Sequence, residues 1–372
     1  MAFQNYKQRS WWESTAMAYP RDVIIVGSGI TGLSAALFYK RANPKHTVLV
    51  LDRGFWPTGA TARNAGFACF GSASELLDDL SNESEQDVRL RLESRFNGLN
   101  LLKTELGTQE IEYHMCGGYE LFDKADEELY RHCKEKLPLF NSWVETGTGE
   151  KETYELKTYN GFKTIYNRLE GYLHSGKMLN RLLQKATNVG VEVRWNTPVD
   201  RIEKGSVILD DGLILQADKI LSAVNGFSKK LIPESSVDPA RGYIFVTKPL
   251  TKMPWKGTFH YNKGYVYFRD LGNRLLIGGA RDVDKTTETS YTNDINPKIK
   301  NWLLDFTADK LGIDTDWEME QEWTGTMGFG NTKSPECFKV KDGIWIAAGL
   351  GGMGVALGMN LGKRVAEMMG EF

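Results

Sequence analysis

Short, almost wholly apolar runs alternate along this chain with longer stretches in which charges recur at helical spacing. Residues 22–27, DVIIVG, form a continuous apolar run that predicts a strand buried on both faces. LSAALFYKRA (33–42) has the composition and spacing of a helix, and HTVLVLD (46–52) predicts a second buried strand. Strand, helix and strand in about thirty residues make a βαβ unit. From about Ser74 the character changes. ELLDDL and DVRLRLESRFNGLNLLKTEL predict surface helices, GGYELFD (117–123) a strand, and the charged segment after it a helix to about Leu137. Residues 176–189 predict an amphipathic helix, followed by short strands with an Asp-Gly turn at 211–212. RGYIFVT, GYVYFRD and NRLLIGG (241–279) alternate like antiparallel strands, and IKNWLLDFTADKL is helical again. The last segment, GIWIAAGLGGMGVALGMNLGKRVAEMM, repeats the order of the first: apolar strand, Gly-rich turn, helix.

Two stretches in this frame carry chemistry. Gly27, Gly29 and Gly32 give G-x-G-x-x-G between the first strand and its helix. The first Gly permits the tight turn, the second lets backbone approach a pyrophosphate, and the third lets helix and strand pack closely. The phosphates then sit on the positive helix end. Asp52 ends the second strand, where a carboxylate can bond a ribose hydroxyl. This fingerprint suits NAD or FAD. The second stretch is Pro57–Gly71, PTGATARNAGFACFG, in which eleven of fifteen residues are Gly, Ala, Thr, Cys or Asn. It is a poor amphipathic helix and a poor strand. So little side chain lets main-chain N–H and C=O groups come close to the longer cofactor, FAD, and the lone Arg63 can hold a phosphate or flavin oxygen. A small-residue loop packed for its own sake is the competing reading.

Composition narrows the classes. With 372 residues, 41% hydrophobic and 25% charged, the chain suits a two-domain globular enzyme. A formal net charge of -2 and dispersed Lys and Arg give no basic field for nucleic acid or anionic lipid. Four cysteines (Cys69, Cys116, Cys133, Cys337) form no CxxC pair and no metal-like spacing with the histidines. The first twenty residues lack the apolar core of a signal peptide, and no apolar run approaches a membrane span. A cytoplasmic protein is expected, with residues 1–19 as a leader whose Trp11 and Trp12 pack on the body.

GSGITGLSAA, GATARNAG and WIAAGLGGMGVALGMNLGKRVAEMM, joined by DKILSAVNG and YFRDLGNRLLIGGARD, resemble the D-amino acid oxidase family of FAD-dependent amine oxidoreductases. The resemblance covers nearly the whole chain, most weakly residues 76–170. RNAG after GA, the leader SWWE and RLLIGG are most similar to its gamma-glutamylputrescine oxidoreductase branch. What the resemblance implies is a mixed α/β fold. A Rossmann-like FAD domain would comprise 20–75, 175–235 and 335–372, interleaved with an antiparallel-sheet substrate domain of 76–174 and 236–334. It also implies cofactor contacts by Gly27, Ser28, Gly29, Ile30, Thr31, Gly32, Asp52 and Arg53, and by Ala60, Thr61, Arg63, Asn64, Ala65 and Gly66. Val199 would touch the adenine half through backbone, and Ala223, Asn225 and Gly226 would line the dinucleotide. Gly349, Gly351, Gly352, Met353 and Gly354 would face the flavin from a helix N-terminus.

The departures matter as much. Arg63 stands where some relatives attach FAD through His, and about Gly328 where others use Cys, with Cys337 nine residues on. Non-covalent FAD is expected. Met327 stands where relatives carry the Arg that pairs with a substrate carboxylate, and Leu276 where others place a Lys for reaction with oxygen. Arg241, Arg269 and Arg281 are the replacement candidates, each with an ordinary ion pair as the competing reading. Tyr265, Tyr267 and Arg269 share one face of a strand by period-two alternation and are the expected catalytic residues. His114 and His260 stand isolated and are expected as surface or packed residues. The implied reaction is hydride transfer from a neutral amine to flavin, giving an imine that hydrolyses, with O2 or another acceptor downstream. Two alternatives stay open: a flavin-binding sensor or assembly partner that has lost catalysis, and an NAD-dependent dehydrogenase.

Overall fold

In the computed structural model, which describes residues 10–313 and 316–370, the continuous apolar runs become the centre of a parallel sheet. Its strands lie in the order Glu192–Arg194, Val48–Leu51, Arg21–Val26, Ile214–Ser222 and Ile344–Ala348, all parallel. Strands covered on both faces need no alternation, and Val23, Ile24, Ile25, Val50 and Leu51 are fully buried. The first half of Ile214–Ser222 also pairs antiparallel with Ser206–Leu209, which pairs with Val199–Glu203. The helices Ile30–Ala42 and Gly354–Gly370 pack together closely because the second presents glycines. A Cβ at Gly362 would lie 2.6 Å from Ser34 Cβ and from Thr31 O, and one at Gly358 would lie 2.3 Å from Ile30 Cγ2. Together with the helix Ser175–Asn188, these elements belong to one of two compact units, formed by the chain up to Ala62, Gly176–Ala240 and the chain from Met327.

Alternation decides the second unit, Arg63–Ser175 and Arg241–Thr326. Its eight strands run in the order Met319–Phe329, Asp238–Thr247, Arg274–Gly279, Val266–Leu271, Thr258–Tyr261, Gly118–Phe122, Phe162–Asn167 and Tyr154–Tyr159. Thr258–Tyr261 and Gly118–Phe122 pair in parallel. On one face Phe245, Phe259, Phe268 and Ile277 join Trp255 and the helix Pro297–Asp309 in the core, with the rings of Phe259 and Phe268 stacked at 4.8 Å. Burying a ring of that size contributes roughly 1.5–3 kcal/mol. The other face is mixed, with Ile244, Val246 and Leu276 apolar beside polar positions. Gly278, Tyr267, His260 and Glu120 stand opposite one another across four strands, and Leu276, Arg269, Thr258 and Gly118 form the next row. A small sheet of Phe67–Ala68, Gly171–Tyr172 and His114–Met115 belongs to the same unit, as do the helices Ala73–Leu80, Glu85–Leu106 and Glu127–Thr148.

Three expectations change. The helix expected to stop near Leu137 continues to Thr148 through Pro138, because Phe140, Trp143 and Val144 bury its far half and outweigh the lost hydrogen bond. The small-residue stretch forms one helical turn, Ala60–Arg63, and a two-residue strand. The first unit ends at Ala62 and not near residue 75. The reason is bonding within the second unit: Arg63 Nη1 donates to Thr324 O (2.7 Å), and Trp323 Nε1 donates to Arg63 O (2.8 Å). Of the leader, residues 1–9 lie outside the described residues. Trp11 and Trp12 are 73% and 76% exposed and do not pack on the body, since the turn Glu13–Met17 has no buried residue to dock it. Among the described residues no helix is long and apolar enough to cross a membrane.

Candidate functional site

In the first unit, glycines set the approach of three backbone segments. Gly27 ends the first strand at φ +104°, and a Cβ there would lie 2.6 Å from Ala223 O. At Gly32 a Cβ would lie 1.9 Å from Gly27 O. Only glycine allows strand, turn and helix to close this tightly. The Asp52 carboxylate organises the turn: Oδ2 accepts from Ser28 N (3.0 Å) and Ser28 Oγ (2.5 Å), and Oδ1 from Gly54 N (2.9 Å). Thr61 Oγ1 accepts from Ile30 N at 3.1 Å, fixing the start of the helix. Thr31 Oγ1, in the same turn, is buried without a hydrogen-bond partner.

The C-terminal Gly-rich turn is tied to the middle segment. Asn225, at φ +48°, accepts from Gly349 N (3.0 Å) and Leu350 N (3.3 Å) through Oδ1. Gly351 N donates to Gly328 O at 2.8 Å. A Cβ on Gly352 would meet nothing within 4 Å, so the turn is open just before the helix Gly354–Gly370. Ala223 N donates to Val26 O, and Gly226 is buried in the turn Asn225–Phe227. Val199 opens its strand and packs against the sheet's core, while the Arg53 guanidinium lies 4.0 Å over the Phe227 ring. Met353 is half-buried.

In the second unit, Arg269 is 5% exposed. Its Nε donates to Ala65 O (2.8 Å), Nη1 donates to Asp270 O (3.2 Å), and its guanidinium lies 4.5 Å over the Tyr172 ring. Among the described residues it forms no ion pair with a carboxylate, and Nη2 forms no hydrogen bond. Burial pulls the guanidinium below its ordinary range. Gly66 runs beside it: a Cβ there would lie 3.4 Å from Nη2 and 2.2 Å from Leu173 O. Asn64 Oδ1 holds this turn by accepting from Gly66 N and Ser175 Oγ. Tyr267 shares the face, its ring edge-on to Phe67 at 5.6 Å and packed on the cluster of Ala65, Ile244, Val246 and Leu276, and burial pushes its phenol up. Tyr265 precedes the strand and is 37% exposed. Arg241 is different. Its Nε and Nη2 donate to both oxygens of the buried Glu288 carboxylate, at 3.1 and 2.8 Å, so it is an ordinary ion pair. Arg281 opens a short helical turn, where burial pulls its guanidinium down.

The family model for DAO, FAD dependent oxidoreductase, matches residues 22–368. The chain belongs to that family. This FAD-dependent oxidoreductase is 27% identical to "Probable oxidoreductase OrdL" of Rhizobium meliloti, with 96% of this chain and 87% of that protein covered. Against gamma-glutamylputrescine oxidoreductase of Escherichia coli the identity is 24%, with 94% and 83% covered. Glycine oxidase from Geobacillus kaustophilus superposes with a TM-score of 0.75 at 21% identity over 95% of each chain. Iminodiacetate oxidase from Chelativorans gives 0.72 at 19%, with 93% of this chain and 94% of that one covered. The mixed α/β fold is therefore that of solved members of this family.

The residues of the oxidoreductase's first unit fit an extended dinucleotide. At Gly29, in the middle of the turn, a Cβ would meet within 4 Å only Thr61 Oγ1, and the buried Thr31 hydroxyl has no partner among the described residues, where a buried group needs one. Three donors on Asp52 leave its carboxylate a further acceptor site for a ribose hydroxyl. Ala60 and Thr61 belong to this unit, whereas Arg63, Asn64, Ala65 and Gly66 belong to the second.

One group escaped the sequence. His260, expected as an isolated residue, is buried with Nε2 2.9 Å from Glu170 Oε2. The two are ninety positions apart: Thr258–Tyr261 pairs with Gly118–Phe122, which pairs in turn with Phe162–Asn167, and just beyond that pairing Gly117 N donates to Glu170 O at 2.9 Å. The residue types gave no local signal.

Proposed function

We propose that this oxidoreductase oxidises the C–N bond of a small amine that carries a carboxylate. The first unit would hold FAD without a covalent bond, through Gly27–Gly32, Asp52, Asn225 and Gly349–Gly354, and the face of the second unit's sheet that carries Tyr267 and Arg269 would hold the substrate. The observation that carries this reading is Arg269, a buried guanidinium with no carboxylate partner among the described residues. A buried charge is retained at a cost of several kcal/mol unless something pairs with it, and a substrate carboxylate supplies that pair. The family members gamma-glutamylputrescine oxidoreductase, glycine oxidase and iminodiacetate oxidase are named for nitrogen-containing substrates, which agrees.

Bound FAD supplies a two-electron acceptor for the hydride that leaves the carbon next to nitrogen. The chain's own residues bind and orient. Arg269 fixes one end of the substrate, its position set by the Ala65 carbonyl and the Tyr172 ring. Phe67, Trp323 and Leu276 make the surroundings of Tyr267 apolar, which excludes water and strengthens the electrostatic hold. The C–N oxidation gives an imine, which water hydrolyses to a carbonyl compound and an amine or ammonia. A single-turnover reaction under nitrogen tests this: one carbonyl product and one amine or ammonia should form per FAD reduced. Flavin reduction without a carbonyl product would contradict the reading.

A further inference from the structure

His260 and Glu170 have no task in the scheme above, yet they are built as a site. Glu170 is 1% exposed, and its Oε1 accepts from Asn167 Nδ2 at 3.2 Å. Its reach to His260 depends on glycine at 118, since a Cβ there would lie 2.0 Å from Glu170 Oε2. A carboxylate on Nε2 makes that nitrogen the N–H and leaves the lone pair on Nδ1. Among the described residues the only hydrogen bond of the buried His260 ring is the one from Nε2. The register puts it on the face of Tyr267, directly opposite, with Arg269 diagonal to it.

The charged groups around the ring come from every neighbouring element. Glu120 stands opposite on the next strand, bonded by Ser72 Oγ, Ser74 N and Ser74 Oγ. Glu75, on the helix Ala73–Leu80, is paired with Arg95 at 2.9 Å. Burial opposes the charged imidazole, but the charge and hydrogen bond of Glu170, with Glu120 and Glu75 behind it, outweigh burial and raise His260 above the ordinary histidine range. That suits a base working near neutral pH.

An aliphatic amine arrives as an ammonium ion, and the adjacent C–H cannot leave as hydride until the nitrogen lone pair is free. We propose that His260 takes that proton: the substrate N–H bond breaks, its electron pair stays on nitrogen, and the proton bonds to His260 Nδ1. Glu170 is the positioning residue, holding the imidazolium through Nε2–H. The substrate class is then a zwitterion, with its carboxylate on Arg269 and its ammonium on His260. This rests on the amine-oxidising reading above.

The test is anaerobic flavin reduction by an amino acid that reduces the wild type, followed from pH 6 to 10 in wild type, His260→Gln and Glu170→Gln. By accepting from the bound nitrogen, His260 should lower the pH at which the amine loses its proton, so the wild-type reduction rate should rise through an apparent pKa below that of the free ammonium. In His260→Gln that apparent pKa should move up towards the free-ammonium value by about one unit, a roughly tenfold slower reduction at the lower pH values, and the two proteins should converge near pH 10. Glu170→Gln should shift the same way by less. A loss of the same factor at every pH would return the pair to a structural role and overturn the proposal. A second readout needs no turnover. Imidazole 15N NMR of the holoprotein should show His260 protonated on Nε2 with a raised pKa that falls in Glu170→Gln, and an ordinary titration would overturn it. If no amine reduces the flavin at any pH, the amine reading falls and takes this proposal with it. If an amine does, and His260→Gln keeps the wild-type profile, only this proposal falls.

Discussion

Replacing Arg269 by Met separates what that residue does for the fold from what it does for the substrate. In the fold it donates to the Ala65 and Asp270 carbonyls and stacks on Tyr172. Leaving the buried Ala65 carbonyl unpaired costs about 1–3 kcal/mol, offset in part because a buried guanidinium without a counter-ion is itself unfavourable. A net loss near 1 kcal/mol is expected, a fall of only about 1 °C in Tm for a protein of this size. For the substrate the effect is larger. Losing a desolvated, charge-assisted pair costs about 2–4 kcal/mol, roughly 30- to 700-fold in Kd. Anaerobic stopped-flow reduction of the flavin gives Kd and the rate of reduction separately. An amine with a carboxylate should bind 30- to 700-fold more weakly, and its analogue without the carboxylate should bind unchanged. Arg269→Lys should recover only part, because an ammonium keeps the charge but loses the planar fork. Equal weakening of both amines, or of neither, would refute the assignment.

Other residues separate in the same way. Gly32→Ala would place a Cβ 1.9 Å from Gly27 O, so flavin content should fall and Tm should drop by the equivalent of about 1–3 kcal/mol; full flavin loading at unchanged Tm would contradict the role given to this turn. Arg241→Met should destabilise by about 3–5 kcal/mol, because Glu288 is left charged and buried, and should leave Kd for the anionic amine alone. A selective loss of substrate affinity in that variant would make Arg241 the anchor instead. Stability should also follow His260. Its folded pKa lies above the unfolded value of 6.5, so its contribution is fully present below that pH and is lost as pH rises through the folded value. Urea unfolding should show the gap between wild type and Glu170→Gln widest below pH 6.5 and narrowing above it; a gap that widens with pH would reverse the sign.

What the sequence made legible was whatever is local. Gly27, Gly29 and Gly32 stand in one turn, and their packing against Ala223 and Thr61 is the kind the spacing implies. Period-two alternation put Tyr267 and Arg269 on one face, opposite the Phe268 side of the same strand. What it hid was non-local. Whether Arg241 is a free anchor or half of an ion pair depends on Glu288, forty-seven positions away. His260 acquires Glu170 through two successive strand pairings that no motif announces. The small-residue stretch lies between these cases: its lack of side chain was plain, but its ties to Thr324, Trp323 and Arg269 depend on strands from the far half of the chain. Trp11 and Trp12 show the opposite error, since apolar character alone does not supply a surface to dock on.

The central claim is a flavoprotein that takes electrons from an anionic amine, and the visible spectrum of the purified protein under nitrogen tests it most directly. The account predicts the bands of oxidised flavin, released intact by denaturation, that bleach on addition of an amino acid and stay unchanged with the corresponding carboxylic acid lacking the amine. A flavin spectrum that no amine bleaches, or a colourless protein that cannot be loaded with FAD, would contradict it.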